Sequence, residues 1–447
     1  MLSHLVTILI AGLPSAGVPP HFAAWLDYTP TGTTWFIAAE EPGASDANDG
    51  LSPSYSGDNH GPWQTLAGPL IHDITLGPGD AVALRSGTYS VNTPDQEISI
   101  FSPGTKQNPV MVYAWQDEHV VIDGGFDLAA FIEDWGDAYQ DAFNAIYHQS
   151  RVFRLDAPFS IVRGLHFTGC PYTCVTWRAT HAMMIDCSFE SGVEDQIKFT
   201  EQPQSNTRSN DNLVYRCDFT RFGNQAIDAW GTRNLWVVDN TFHHNNTIQN
   251  NRDDAGLPIC IKGGSTDVHF IDNHFHDLTV GVHALLLGGC CWHNWTDRLY
   301  DEDGNLLPVA QRIEAIDNLL ERITIIDDVD YRGAIGVQGC RDCLVRGNTI
   351  IDSTSAIGVH HTRQNVDGVV TTMSPQRTTI TQNTSLNTST GELIMASHPG
   401  RGFAAHHNIW FQPGERWFRI KSRIVEGLSA WRSFGLGAGS VALPLNP

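Results

Sequence analysis

One short segment recurs along this chain at irregular intervals. VRGLHF ends at Phe167, MIDCSF at Phe189, VYRCDF at Phe219, VVDNTF at Phe242 and FIDNHF at Phe275. VRGNTI follows, ending at Ile350, and AAHHNIW lies near Trp410. The five phenylalanines are 22, 30, 23 and 33 residues apart. Helical repeats of fixed length do not vary like this, whereas coils of short strands joined by unequal loops do. From Phe189 onward, a small polar residue sits two residues before the aromatic or aliphatic position: Cys187, Cys217, Asn240, Asn273 or Asn348, with Asn383 and Asn408 in the same slot. Stacked parallel strands would bring these side chains about 4.8 Å apart. An asparagine both donates and accepts, so a file of them satisfies itself inside a core. The pattern predicts an all-β chain wound as a right-handed parallel β-helix, a solenoid in which each coil packs on its neighbours.

A second strand lies between these segments: EDQIKFT, QAIDAWG, PICIKGG, GAIGVQG, SAIGVHH and ELIMASH. Alternation with period two turns Ile197, Phe199, Ile227, Ala229, Ile259 and Ile261 inward. It turns Lys198, Asp228, Trp230, Lys262, Gln338 and His360 outward, toward solvent. Glycine pairs such as Gly263-Gly264 mark corners.

The regions divide accordingly. Residues 1–20 contain a short apolar run and small residues, like a secretory signal without its basic start. Residues 31–150 read as an N-terminal cap and first coils, with a helical insertion at 127–150. A cap is expected because an open strand edge recruits other chains. Residues 151–425 form the β-helix, and 426–447 an uncapped tail where the chain could be truncated. Export, to the periplasm or outside the cell, and a monomer are expected.

A formal charge of −22, from 49 acidic against 27 basic residues, argues against nucleic acid as a partner. No run approaches the ~20 apolar residues of a membrane span. The nine cysteines lack the histidine spacing of a zinc site and read as buried apolar thiols.

The Asn-x-Phe/Ile rungs, with DANDG, PWQTL and PGDAVALRSGTY near the start, resemble the pectate-lyase-like right-handed β-helix superfamily. The resemblance covers most of the chain. It implies a polysaccharide substrate, an acidic one if the activity is that of a lyase. Asp253-Asp254 and Arg419-Ile420-Lys421 echo the hydrolases of that superfamily, but Gly-His-Gly and Asn-Thr-Asp are missing. The Trp-Ile-Asp-His segment of its best-known lyases is missing too.

β-Elimination next to a uronate carboxylate needs a cation and a base that is neutral at working pH. Only four lysines exist, Lys106, Lys198, Lys262 and Lys421. Lys198 and Lys262 face outward on corresponding strands, and each has acidic neighbours. They are the candidate bases, with His360 as the alternative. Glu194, Asp195, Asp228, Asp253 and Asp254 are candidate ligands for Ca²⁺, which favours oxygen donors. Trp230, Arg233, His283 and Arg363 are candidate substrate contacts, Trp230 by stacking on a sugar. The leading expectation is therefore a secreted polysaccharide lyase cleaving a uronic-acid-containing glycan by β-elimination. The alternatives on the same face are a glycoside hydrolase using paired carboxylates from Asp195, Asp228, Asp253 and Asp254, or a non-catalytic glycan-binding β-helix.

Overall fold

The computed structural model describes residues 17–66, 75–91, 98–127, 152–200, 208–245, 256–289, 308–327, 329, 331–366, 369–390, 392–397, 399–412, 417–420 and 423–444. The chain is a right-handed parallel β-helix. Three long sheets run its length, and successive coils each contribute a strand to them. The first begins at Thr34–Ile37 and ends at Ala404–His406, the second runs from Ile98–Ile100 to Arg423–Glu426, and the third from Gly87–Ser90 to Val441–Pro444.

The recurrent segments form the third sheet and the corner before it. Phe167, Phe189, Phe219, Phe242 and Phe275 are in register on successive coils, with ring centroids 4.7 to 5.0 Å apart. The asparagine file is continuous from Asn240 through Asn273, Asn318, Asn348 and Asn383 to Asn408. Each Nδ2 donates to the next Oδ1 at 2.9 to 3.0 Å. Cys217 joins through its backbone N–H to Asn240 Oδ1. The residue before each slot turns the chain at positive φ: Asp186, Arg216, Asp239, Asp272, Asp317, Gln382 and His407 have φ of 49° to 59°. Aspartate tolerates that region better than most side chains.

Replacing Asn273 with alanine strands the Asn240 N–H and amide that donate to it and opens its own bond to Asn318. Chemical denaturation should register a loss of about 1–3 kcal/mol.

The ends differ in part from the sequence expectation. Helix Pro20–Leu26 lies along the flank of the first sheet, where Phe22 and Trp25 cover Ala81, Met111, Ile161 and Met183. The free edge of the first strand donates from Phe36 N to Gly50 O at 2.7 Å and from Ala38 N to Trp63 O at 2.8 Å, so the 40–66 loop blunts it. Residues 423–444, expected as an uncapped tail, instead close the far end. Strand Arg423–Glu426 pairs antiparallel with Trp417–Ile420. Helix Gly427–Arg432 then sets Trp431 on Phe418, with centroids 4.8 Å apart. The helical insertion expected at 127–150, apart from Asp127, and the apolar run before residue 17 fall outside the described residues.

Two pairs of cysteines are not the free thiols expected. Cys170 is bonded to Cys174 and Cys340 to Cys343, while Cys187, Cys217 and Cys260 are free and buried. No helix among the described residues is long and apolar enough to cross a membrane.

Candidate active site

The second sheet carries the candidate residues on its outer face. One outward file runs in register through Arg154, Thr176, Lys198, Asp228, Cys260, Leu286, Gly336, Gly358, Met395 and Arg419. Trp230 pairs with Lys262, and Gln338 with His360, two residues further along each strand. The two lysines therefore face the same way but not at the same level of the strand. Asp228 lies between them.

That offset closes a charge network. Lys198 Nζ donates to Asp195 Oδ2 at 2.8 Å and to Asp228 Oδ2 at 2.9 Å. Lys262 Nζ is 3.2 Å from Asp228 Oδ1 and 5.7 Å from the Trp230 ring centroid. Both carboxylates are buried, whereas 28% of the Lys198 side chain is exposed and forms the outer surface of the network. Asp195 Oδ1 is buried without a hydrogen-bond partner among the described residues.

The electrostatics push the two carboxyl groups apart. Burial raises the Asp195 pKa above the ordinary aspartate value, helped by neighbouring Asp228 and opposed by Lys198. Asp228 suffers the same burial, but the two ammonium groups outweigh it and hold its pKa below the ordinary value. Both lysines are desolvated, which by itself would favour the neutral amine. The carboxylates win, so both lysine pKa values are raised. Tyr172 adds to the field at Lys198, and nothing in the sequence pattern singled it out. A lysine base needs the opposite shift.

Two of the expected metal ligands are already engaged by lysine. Asp228 is bound by lysine at both oxygens and Asp195 by Lys198 at one. The ammonium of Lys198 stands where a cation would bridge the two. Glu194 is buried beside Asp195. Asp253 and Asp254 lie outside the described residues.

The remaining candidates separate. His360 and His283 do not face solvent. They form a buried cluster of their own, with His360 stacked on Tyr331 at 3.7 Å and 5.8 Å from His283. His283 Nδ1 donates to Gly333 O at 2.9 Å, so Nδ1 carries the proton. Its ring lies against the sheet where Gly336 leaves room, since a Cβ there would come within 2.4 Å of it. Burial lowers its pKa to about 4. This cluster sits on coils beyond Lys262, on the Gly288–Gln338–His360 side of the sheet. Arg233 is exposed and starts a strand of the first sheet, round the corner from Trp230. Arg363 belongs to a separate antiparallel hairpin, Thr362–Val366 with Val369–Met373. The Gly263 corner is not open to a ligand, because the half-buried Trp230 ring covers it.

No family model matches the chain, and no curated protein matches it in sequence. Solved structures that align with it include a GH136 lacto-N-biosidase from Eubacterium ramulus, at 14% identity and TM-score 0.49. That alignment covers 85% of this chain and 64% of the other, so the chain spans less than two thirds of that protein. A rhamnogalacturonan lyase aligns at 13% identity and TM-score 0.46, over 83% of this chain and 87% of the other. A PL6 family polysaccharide lyase from Pseudopedobacter saltans aligns at 12% identity and TM-score 0.44, over 83% and 89%. The fold is established by the strand registers themselves.

Proposed function

We propose that this chain is a carbohydrate-active enzyme of an oxidising compartment, cleaving a glycosidic bond in an acidic polysaccharide by hydrolysis. The observation that carries the reading is the pair Asp195 and Asp228, bridged by one ammonium and displaced in opposite directions from the ordinary aspartate pKa. Two carboxyl groups with separated pKa values are the acid and the base of a glycosidase. Asp195 protonates the leaving oxygen as the glycosidic C–O bond breaks, ionised Asp228 attacks the anomeric carbon from the opposite face, and a water that gives its proton back to Asp195 then displaces Asp228. Both carboxylates contact the same ammonium, which favours the close spacing of retaining enzymes over the wider spacing of inverting ones.

Lys198 covers both carboxylates. A sugar carboxylate offers its ammonium an alternative partner and draws it aside, which is why an acidic glycan suits the site. Lys262 stays on Asp228 and keeps it ionised. Trp230 supplies an apolar edge beside them. The two disulfides support export, because such bonds persist where the medium is oxidising. β-Elimination by a lysine base is the reading that the raised lysine pKa values oppose.

Incubation with a panel of uronate-containing polymers tests this. The expected result is new reducing ends, no ultraviolet absorbance from unsaturated uronate, and full activity after exhaustive chelation. Unsaturated product would establish a lyase instead. Binding without any cleavage would leave a glycan-binding protein.

A further inference from the structure

A histidine cluster lies on the outer face of the third sheet, away from the carboxylate pair. We infer that it is a binding site for a divalent transition ion of the zinc class, held by His244, His276 and Asp277 with His243 alongside. These four residues come from two adjacent coils. His243 ends strand Thr241–His243, while His276 and Asp277 lie in strand His274–Val280. His243 and His276 are register partners, and their rings stack 5.0 Å apart at 2°. Phe275 points into the core, so alternation puts His274 and His276 together on the outside, 4.5 Å apart.

The corner supplies the other two donors. His244 and Asp277 both have positive φ, 47° and 51°, and occupy equivalent turns on the two coils. His244 N donates to Asp277 O at 3.2 Å. This turn brings the His244 ring back across His276, with centroids 5.9 Å apart at 89°. One donor atom from each of His244, His276 and Asp277 then lies within 4.8 Å of the others. His243 Nδ1 is 2.7 Å from His244 Nδ1.

The protonation pattern around the cluster points to a ligand as well. His243 Nε2 faces the Asp218 carboxylate at 3.1 and 3.2 Å. In the neutral ring that nitrogen carries the proton, so Nδ1 offers its lone pair to His244 Nδ1, 2.7 Å away. A carboxylate behind an imidazole in this way fixes its tautomer and raises its strength as a metal ligand. His276 Nδ1 is 2.8 Å from Asp277 Oδ2, and the pair must open to about 3.3 Å for a tetrahedral ion to replace the proton between them. Imidazole nitrogens with one carboxylate form a donor set for zinc rather than for calcium. Arg322 holds Asp277 Oδ1 at 2.6 Å and Oδ2 at 2.9 Å, so binding must loosen its second contact. That competition implies a site of moderate affinity.

Titration calorimetry of the full chain with ZnCl₂, and the visible spectrum of its Co²⁺ adduct, test the inference. One equivalent should bind to the wild type. His276→Gln and His244→Gln should each weaken binding at least tenfold, while both keep the wild-type melting profile without metal. His406→Ala provides the control. It breaks a similar pair of adjacent histidines, His406 Nδ1 and His407 Nδ1 at 2.8 Å, that belongs to no three-ligand group among the described residues, and it should leave the stoichiometry and affinity unchanged. No stoichiometric binding by the wild type, or binding that survives both glutamine variants, would overturn the site. Glycan cleavage does not enter either readout, so this site and the carboxylate pair stand or fall separately.

Discussion

Asp228→Asn should leave a folded protein whose glycan cleavage is slower by about 10²–10⁴-fold. Asp228→Ala should lose the same activity and also about 3–5 kcal/mol of stability. The difference follows from what the side chain touches. Asp228 is 1% exposed and accepts from Lys198 and lies within 3.2 Å of Lys262. Alanine leaves two ammonium groups without their shared counter-charge, one of them 12% exposed. Removing one member of a buried ion pair is costly because the partner's charge remains. Asparagine keeps an acceptor oxygen in the same place but cannot act as an ionised base or nucleophile. Denaturant midpoints and reducing-end assays on the two variants separate the roles. Wild-type turnover in Asp228→Asn would remove this residue from the mechanism, whatever the stability of the alanine variant.

Much of the fold was legible because one physical requirement repeats. A buried amide needs partners above and below, so asparagine returns at the same slot and the strand phase can be read from it. Asn318 escaped notice because its coil carries Leu320 where the earlier coils carry phenylalanine, and because it follows Asn273 by 45 residues, the widest step in the file. The closing helix escaped because Gly427–Arg432 is six residues long, too short for Leu428 and Trp431 to build a helical stripe that announces it.

The site was legible as a face and not as a network. Alternation assigns Lys198, Asp228 and Lys262 to the outside of one sheet, and the structure agrees. Alternation does not give register. The lysines are offset by two residues, and this is why Asp228 contacts both instead of facing one. Nor does it show what covers the outer face. Cys260 and Leu286 are outward yet buried, and His360 is roofed by Tyr331. Gly336 and Gly358 carried a usable hint, since two small residues at one slot on adjacent coils leave room for a ring, here His283.

The pH profile should decide between the carboxylate pair and a lysine base, because they predict opposite slopes. Cleavage by the pair needs Asp195 protonated and Asp228 ionised. Burial raises the Asp195 pKa, so its proton persists above the ordinary aspartate range, and kcat/KM should fall as pH rises through that raised value. The two lysines lower the Asp228 pKa, so the acid limb should appear only as pH falls through a value below the ordinary one. The result is a bell on the acid side of neutrality. A lysine base would be inactive there. Lys198 and Lys262 are both raised, so the neutral amine appears only above the ordinary lysine pKa of about 10.4, and the rate would climb with pH toward that region. Asp195→Asn sharpens the test. It should abolish cleavage of the natural glycan but spare a substrate with an activated leaving group, which departs without a proton. The alkaline fall in rate should vanish with it. A profile that rises steadily into strong alkali, unchanged by Asp195→Asn, would return the chemistry to the lysines.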